Sequence, residues 1–447
     1  MDDKIYLKGQ SNEEKKLSKR GYKARRGLIA IIAILVLLVT GCSQGADSTN
    51  VASAEETGTA VSNGSGETTS ESETISIVLG ETPVIEGSTE GIDVKEGHIS
   101  ITKGGVYALS GTWEDGQITL EAKDEIFTLI LNGVTIKSSN GPAILSLDAE
   151  MTNIILMEGT VNNLTDGGQV EDYEAPLFSC DDMTIEGTGT LVINGTYQEG
   201  IESNDILTIN GGNIEIIAED DALNAGDGII INGGTILAKS GGDGIDSNGD
   251  LTINGGSITV FAGNNANGPV DIGDGGYKYI INGGDVFATG GTMTIQISNE
   301  STQKSAWIYG TFNSGDTVEL KNSNGDVIAN QTLLSSASCI YVSNSSLEDG
   351  QTYTIYQNDT ELGSFDMSGI SASYGNAAGR RGGGQGQRPE NGMPMNNDQN
   401  GAEPFAPGGE MGNPPEGNPP MGFPTENPPT GEAPTDMPSN STENQSN

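Results

Sequence analysis

The sequence predicts an all-β chain whose main domain is a right-handed parallel β-helix, a single-stranded solenoid of short strands stacked coil upon coil. Three observations predict this fold: a motif that recurs at 22 to 28 residues, short β-branched runs between glycine-rich corners, and the lack of helical periodicity in these repeats. An antiparallel sandwich would show turns roughly every 8 to 12 residues and no self-similarity over longer distances. Stacked coils therefore account for the repeat better than a sandwich does.

The repeat is clearest in four segments that end in Asn-Gly-Gly. Their asparagines are Asn210, Asn232, Asn254 and Asn282, spaced 22, 22 and 28 residues apart. Residues in equal phase of a β-helix stack at about 4.8 Å, so we expect these asparagines to form a ladder along the solenoid. Glycine at each corner permits positive φ angles, while Val, Ile and Leu side chains stack inside.

The first 41 residues have the pattern of a bacterial export signal. A segment rich in Lys and Arg precedes the apolar run Leu28–Val39, which at about 12 residues is shorter than the roughly 20 needed to span a bilayer. The following Thr40-Gly41-Cys42 completes a sequence that resembles a lipobox. We expect residues 1–41 to be a lipoprotein signal peptide, Cys42 to carry the lipid, and the protein to be anchored on the extracellular face of the cell membrane. An uncleaved signal anchor is the alternative.

Composition divides the rest of the chain. Residues 42–73 are rich in Ser, Thr and Gly and predict a flexible linker. Residues 74–300 contain the β-helix pattern, and residues 301–374 break its period. Residues 375–447 hold most of the 17 prolines and no Val, Ile, Leu, Trp or Tyr, so we expect a disordered tail.

The segment 301–374 is expected to be a small β cap. Val318–Ile328 has the pattern of a hairpin, and Cys339–Val342 and Tyr353–Tyr356 are further predicted strands. A solenoid leaves an unpaired strand edge at each end, and the cap would cover one of them. Residues 75–120 are expected to cover the other.

Charge excludes several functions. The chain has 62 acidic against 20 basic residues, a net charge of -42, and one histidine, His98. Nucleic-acid binding depends on Lys and Arg that neutralise phosphates, so we expect no nucleic-acid partner. A zinc site built from histidine pairs and a Ser-His-Asp catalytic set are equally disfavoured.

Oxygen-bearing side chains recur in one phase of the coils. The pairs are Glu199/Glu202, Asp221/Asn224, Asp243/Asp246 and Asp271/Asp274, with further donors close behind. Two like charges about 5 Å apart repel by roughly 0.8 kcal/mol in water and by more when partly buried, so the row favours a counter-ion. Calcium takes such hard oxygen ligands, whereas zinc prefers His or Cys. The predicted calcium ligands are Glu199, Glu202, Asn204, Asp205, Asp221, Asn224, Asp227, Asp243, Asp246, Asp250, Asp271 and Asp274.

Two other interpretations of this row exist. Asp and Asn are common at glycine-rich turns because they tolerate left-handed backbone and form Asx turns, without any metal. The segment Gly241–Asp246 also fits the GGxGxD calcium repeat of RTX proteins, but it does so once, and the period here is 22 residues rather than nine. We therefore reject the RTX interpretation and keep the turn interpretation as the alternative to calcium.

The segments Ile99–Thr112, Leu129–Ile136 and Asn140–Ile144, together with the Thr-Ile-Asn-Gly-Gly coils, resemble a known family. It is the bacterial carbohydrate-binding β-helix lipoprotein family named for a cellulose- and polygalacturonate-binding member. The resemblance covers about residues 75–370. It implies a right-handed parallel β-helix similar to that of pectate lyases, bound calcium, and polysaccharide binding without established catalysis.

We therefore expect an extracellular, lipid-anchored, monomeric protein that binds cellulose or pectin-like polymers, is stabilised by calcium and is not a catalyst. An acidic domain repels polyuronates unless calcium bridges the carboxylates. Neutral glucans would instead need flat aromatic side chains. The candidates for carbohydrate binding are Trp113, Tyr173, Tyr197 and Tyr277, with Phe261 and Tyr279 as further aromatic residues.

Two alternatives remain open. A calcium-dependent polysaccharide lyase would need a basic residue, but no arginine lies between Arg26 and Arg380. Of the eight lysines in that stretch, Lys239 and Lys278 lie in the repeating coils near the acid row and are the candidate bases. A hydrolase would need paired carboxylates, for which Asp220 with Asp221 or Asp181 with Asp182 are available. A surface adhesin or spacer that binds another protein is the second alternative.

Overall fold

The computed structural model describes residues 73–377 except 169, 171–172, 265–266, 274 and 293–294. The predicted signal peptide, Cys42, the linker, most of the tail and Asp274 lie outside the described residues. Within the described part every regular element is a β-strand. That part contains no helix long and apolar enough to cross a membrane.

The solenoid is built from short strands, many of three to six residues. The first sixteen strands are β1 (Thr74–Leu79), β2 (Val84–Glu86), β3 (Ile92–Lys95), β4 (His98–Ile101), β5 (Gly105–Trp113), β6 (Gln117–Glu121), β7 (Ile126–Lys137), β8 (Ile144–Asp148), β9 (Met151–Leu156), β10 (Val161–Thr165), β11 (Leu177–Ser179), β12 (Met183–Gly187), β13 (Thr190–Gly195), β14 (Ile201–Ser203), β15 (Ile206–Ile209) and β16 (Asn213–Ala218). The remaining strands are β17 (Leu223–Ala225), β18 (Gly228–Ile231), β19 (Thr235–Ser240), β20 (Ile245–Ser247), β21 (Asp250–Ile253), β22 (Ser257–Phe261), β23 (Asp271–Ile272), β24 (Tyr279–Ile281), β25 (Asp285–Gly290), β26 (Ser305–Phe312), β27 (Thr317–Asn322), β28 (Val327–Thr332), β29 (Ala337–Ser343), β30 (Thr352–Gln357), β31 (Thr360–Asp366) and β32 (Ser371–Tyr374).

Each regular coil contributes three strands, and each strand pairs in parallel with its counterpart in the next coil. One ladder contains β12, β15, β18, β21 and β24, and a second contains β13, β16, β19, β22 and β25. A third contains β11, β14, β17, β20 and β23. The result is a β-solenoid of about seven turns, which confirms the predicted fold class.

The interior of the solenoid is a column of stacked aliphatic side chains. Ile209, Ile231, Ile253 and Ile281 occupy one register and are fully buried. Successive side chains of a strand point to opposite faces, so the β-branched residues alternate with outward polar ones. Full burial of such a side chain contributes about 1.5–3 kcal/mol, and the column repeats this gain at every coil.

The Asn-Gly-Gly corners form the predicted asparagine ladder. Asn232 donates from Nδ2 to Oδ1 of Asn210 at 2.8 Å, Asn254 donates to Asn232 at 2.8 Å, and Asn282 donates to Asn254 at 2.9 Å. The second glycine of each corner has a positive φ, for example +91° at Gly234. The corner sequence is thus explained by side-chain stacking and by backbone geometry.

The cap strands continue the last coil and then leave it. Strand β29 pairs antiparallel with both β25 and β26, so the end of the parallel ladder is covered. Strands β27 and β28 form the predicted hairpin, and β30 and β31 complete a four-stranded sheet. Phe261 and Phe287 of the solenoid pack with cap residues such as Ile340 and Leu320 in a second hydrophobic cluster.

The beginning of the solenoid differs from the expectation. Strand β5 pairs in parallel with β1 and β7, and β6 pairs in parallel with β4 and β8. The antiparallel pairings in this region are β1 with β2 and β3 with β4. The prediction that residues 75–120 as a whole form a cover is therefore wrong, because most of their strands already belong to the parallel ladders.

Candidate metal centre

The third ladder carries a row of oxygen-bearing side chains. Glu202, Asn224, Asp246 and Asp271 are directly paired through strands β14, β17, β20 and β23. Glu202, Asn224 and Asp246 each lie between two buried residues of a three-residue strand, so their side chains face outward. All four are half-buried. The predicted phase is thus correct for Glu202, Asn224 and Asp246.

A second set of carboxylates lies two residues before these strands. The N–H of Asp243 donates to Oδ1 of Asp221 at 2.6 Å, and the N–H of Gly268 donates to Oδ1 of Asp243. Asn224 Nδ2 lies 3.4 Å from Oδ2 of Asp221 and 3.5 Å from Oδ2 of Asp246. The two sets are therefore linked, and consecutive coils bring their acids together on one face of the solenoid.

Three glutamates form the tightest group. One carboxylate oxygen each of Glu174, Glu199 and Glu202 lies within 4.8 Å of the other two. Glu199 is 6% exposed, and its Oε2 atom has no hydrogen-bond partner among the residues that the structure describes. An ionised carboxylate in such a place is costly unless a proton or a cation compensates it.

Burial and mutual repulsion raise the pKa of these acids. Burial, followed by the neighbouring Glu202 carboxylate, raises the pKa of Glu199 to about 9. Burial raises the pKa of Asp221 to about 6, and burial together with the Asp221 carboxylate raises the pKa of both Asp243 and Asp246 to about 7. The charged neighbours that raise these pKa values are other carboxylates. Without a cation, several of these groups would therefore hold protons near neutral pH.

The chemistry of the donors matches a hard cation. Calcium takes six to eight oxygen ligands from carboxylates, amide oxygens, backbone carbonyls and water. The group Glu174, Glu199 and Glu202 supplies carboxylates, and the row extends through Asp221, Asn224, Asp243, Asp246 and Asp271. Within the described part of the chain, Oε2 of Glu199 is buried without a hydrogen-bond partner, so it is available as a ligand for a cation.

Four other predicted ligands lie at a different corner. Asn204, Asp205, Asp227 and Asp250 follow the strands of the third ladder instead of preceding them. There the N–H of Asp227 donates to the backbone oxygen of Asp205 at 3.0 Å, and Oδ1 of Asp250 accepts from the N–H of Lys278 at 2.9 Å. At this corner, the alternative interpretation explains these four residues as turn residues without a metal.

Asp271 departs from its predicted phase. The sequence places it in phase with Asp243, but it pairs with Asp246. The extra residues between β22 and β23 are absorbed before β23, so Gly268 lies beside Asp243 and donates to it. Its predicted partner Asp274 lies outside the described residues.

Sequence reasoning missed Glu174. Leu177 pairs with Ile201, and Glu174 lies three residues before Leu177, whereas Glu199 lies two residues before Ile201. The offset hides Glu174 from a search at fixed phase. A search that extended the acid row back by one coil and allowed a shift of one residue would have found it.

The aromatic candidates divide by exposure. Trp113 is 4% exposed and lies in the hydrophobic core, so the prediction that it contacts sugar is wrong. Phe261 and Tyr279 are also buried.

The other aromatic candidates are more accessible. Tyr173 is half-buried and packs edge to face on Phe178, and Tyr197 is half-buried. Tyr277, at 47% exposure, presents its ring to solvent.

The candidates for catalysis lie on different parts of the solenoid. Lys278 forms an ion pair with Glu300 at 2.6 Å, and this hydrogen bond raises the pKa of Lys278, which opposes proton abstraction. Lys239 lies on β19, in a different ladder from the acid row. Asp181 and Asp182 accept backbone hydrogen bonds from Ala149 and Ile206.

These features define the class of protein as a parallel β-solenoid with an acid-lined face. The family model for carbohydrate-binding domain-containing proteins matches residues 95–370, and the chain belongs to this family. The family-level resemblance seen in the sequence is confirmed.

One curated relative, a carbohydrate-binding domain-containing protein of Acetivibrio thermocellus, is 36% identical over 151 residues. The match covers 32% of this chain and 52% of the relative, so the chain spans about half the length of the curated relative it matches. A solved structure, the polysaccharide lyase-like protein from C. thermocellum as a gadolinium derivative, is 30% identical with a TM-score of 0.43. The matched region covers 51% of this chain and 97% of the chain in that structure.

Proposed function

We propose that the protein binds polysaccharide outside the cell without catalysis, and that calcium stabilises its acid-lined face. Membership of the carbohydrate-binding family supports the ligand class. The observation that carries the calcium proposal is the buried Glu199 carboxylate, which lies beside Glu174 and Glu202 and whose Oε2 has no hydrogen-bond partner in the described ranges.

Calcium would join coils that repel one another without it. Glu174, Glu199 and Glu202 come from two successive coils, and Asp221, Asp243 and Asp246 extend the row into the next two. A cation bound between coils replaces carboxylate repulsion with attraction to a common charge, and it removes the need for protons. The expected effect is a solenoid whose stability depends on free calcium.

The charge of the chain constrains the polymer. With a net charge of -42, the protein repels an anionic polyuronate unless calcium bridges the two sets of carboxylates. A neutral glucan such as cellulose faces no such repulsion. Calcium dependence of binding therefore separates the two ligands that we propose.

A non-catalytic role is favoured over a lyase. A lyase would need a base beside the bound cation, but Lys278 is engaged by Glu300 and its pKa is raised. Absence of unsaturated products, followed by ultraviolet absorbance with polygalacturonate and calcium, is the expected result. Accumulation of such products would favour the lyase alternative.

The site of action is proposed from the sequence. Cleavage before Cys42 and lipid attachment there would place the solenoid outside the cell membrane, where we expect it to be a monomer. A surface adhesin that binds another protein is the remaining alternative, and retention on neither polysaccharide would favour it.

The test is a pull-down of the purified chain on cellulose and on polygalacturonate, each with calcium and with a chelator. We expect retention on at least one polymer, and we expect chelator to release the protein from polygalacturonate. Glu186→Gln, at an exposed position of β12 in the first ladder, is the control for a change of charge away from the acid row. Lack of retention on either polymer contradicts the proposed function.

A further inference from the structure

A cleft lies between the outer face of the solenoid and the cap. Its volume is about 200 Å³. Ser257 and Thr259 of β22 and Phe287 of β25 line the solenoid side, and Asn330 and Gln331 of β28 line the cap side. The cleft exists because the cap hairpin packs over β22 and β25, where Phe261 and Phe287 enter the second hydrophobic cluster.

The lining combines hydroxyl and amide groups with an apolar wall. Phe287 and Ile328 supply apolar surface, while Thr259, Asn330 and Gln331 supply hydrogen-bonding groups. A few polar groups that converge on an apolar cavity are typical of small-ligand sites. The volume is below the roughly 300–1,000 Å³ of pockets for drug-sized molecules, which suits one sugar ring.

The charge of the cleft selects against anionic sugars. Among its described lining residues the charged group is Asp285, whose Oδ1 accepts a hydrogen bond from Nδ2 of Asn344 at 2.6 Å. An acid at this position repels a uronate carboxylate, whereas a neutral sugar hydroxyl can donate to it. The cleft belongs to the second ladder, while the acid row belongs to the third.

We propose that this cleft between the cap and the last coils binds one ring of a neutral polysaccharide, and that it does so independently of calcium. The inference rests on the proposed polysaccharide-binding function and gives that function a location. It assigns Thr259 and Gln331 as residues that hydrogen-bond to the sugar.

The polymer has a path out of the cleft. Thr259 pairs with Leu237 of the preceding coil, and Leu237 pairs with Glu215 one coil further. Leu237 is 42% exposed, and Ile217, on the same strand as Glu215, is 59% exposed. These uncovered aliphatic side chains provide contact for sugar rings beyond the one held in the cleft.

The test is calorimetric titration of the full chain with a cello-oligosaccharide of six glucose units, in calcium and in chelator. We expect saturable binding that chelator leaves unchanged. Thr259→Val and Gln331→Ala should each weaken binding about tenfold, which corresponds to about 1.4 kcal/mol. Thr252→Val is the matched control, because Thr252 is a half-buried outward threonine on β21, in the first ladder. Thermal melts of each variant verify folding.

The other outcomes separate the two proposals. Unchanged affinity of both cleft variants overturns the cleft assignment but leaves polysaccharide binding intact. Binding of oligogalacturonate in calcium without binding of the cello-oligosaccharide overturns the neutral-sugar inference. Failure of the unmodified chain to bind either oligosaccharide overturns the cleft assignment together with the proposed function.

Discussion

Glu199 and Glu202 belong to the same coil, and their carboxylate oxygens lie within 4.8 Å of each other and of an oxygen of Glu174. Both Oε2 atoms are buried. This arrangement is unfavourable for a protein without a counter-ion, and the same acids form the start of a row that crosses several coils.

Removal of calcium is expected to lower the melting temperature of the protein by several degrees. The physical reason is that a bound ion stabilises the folded state according to its occupancy, about 2.7 kcal/mol at a hundred times its dissociation constant. Differential scanning calorimetry in calcium and in chelator measures the shift. Glu199→Gln should shrink the shift, whereas Glu215→Gln at an exposed position should preserve it. An identical melt in calcium and chelator would refute a stabilising metal.

Without calcium, stability should fall as pH rises. Glu199 has a folded-state pKa of about 9 against an ordinary value of 4.5, and Asp243 has about 7 against 3.8. Between the ordinary pKa and the raised folded-state pKa of each acid, the folded chain holds more protons than the unfolded chain. The stability that these acids contribute is therefore complete at pH values below their ordinary pKa, and it is lost as the pH rises through the folded-state pKa values of about 7 to 9. Urea unfolding in chelator at about pH 5 and about pH 8 measures the change.

Net self-repulsion of an acidic chain also weakens stability at high pH, so a variant is needed to separate the two effects. Glu199→Gln removes the buried acid and should flatten the pH dependence, while Glu215→Gln changes net charge equally and should leave the slope. Equal slopes in the two variants would show that the buried row does not control the pH response.

The aliphatic column should dominate the stability of the solenoid. Ile231→Ala removes a fully buried side chain and is expected to cost about 2–5 kcal/mol. Ile217→Ala, at a position that is 59% exposed, should change stability by no more than about 0.5 kcal/mol. Urea denaturation provides both values. Similar losses for the two variants would contradict the assignment of inward and outward faces.

The corner glycines should resist substitution for two separable reasons. Gly234 has a φ of +91°, and an added Cβ would lie 2.9 Å from the backbone oxygen of Gly212. Gly325 has a φ of +87° in the cap hairpin, and an added Cβ there would have no atom of the described residues within 4 Å. Gly325→Ala should therefore cost about 1–2 kcal/mol from backbone strain alone, and Gly234→Ala should cost more. Equal losses in urea denaturation would remove the argument from close packing of coils.

The fold was predictable because the repeat is long and its phase is marked by a distinctive corner. Asn210, Asn232 and Asn254 recur at a constant spacing, and a constant spacing in a stacked solenoid fixes which residues are neighbours. The acid pairs between these corners inherit the same phase, which is why Asn224 and Asp246 fall beside each other as predicted.

The parts that were not predictable are those where the phase changes. Asp271 follows an insertion, and sequence alone does not say whether extra residues are absorbed before or after the next strand. Glu174 lies one residue out of phase. Trp113 shows a third limit: an aromatic ring suits either a sugar platform or a core, and its inward position was decided by strand alternation.

The most direct test of the metal centre is calorimetric titration of chelator-treated protein with calcium near neutral pH. We predict saturable binding to the unmodified chain, at least tenfold weaker binding to Glu199→Gln, and unchanged binding to Glu215→Gln. Absence of binding to the unmodified chain, or equal affinity in all three proteins, would contradict the assignment of Glu174, Glu199 and Glu202 as a calcium site.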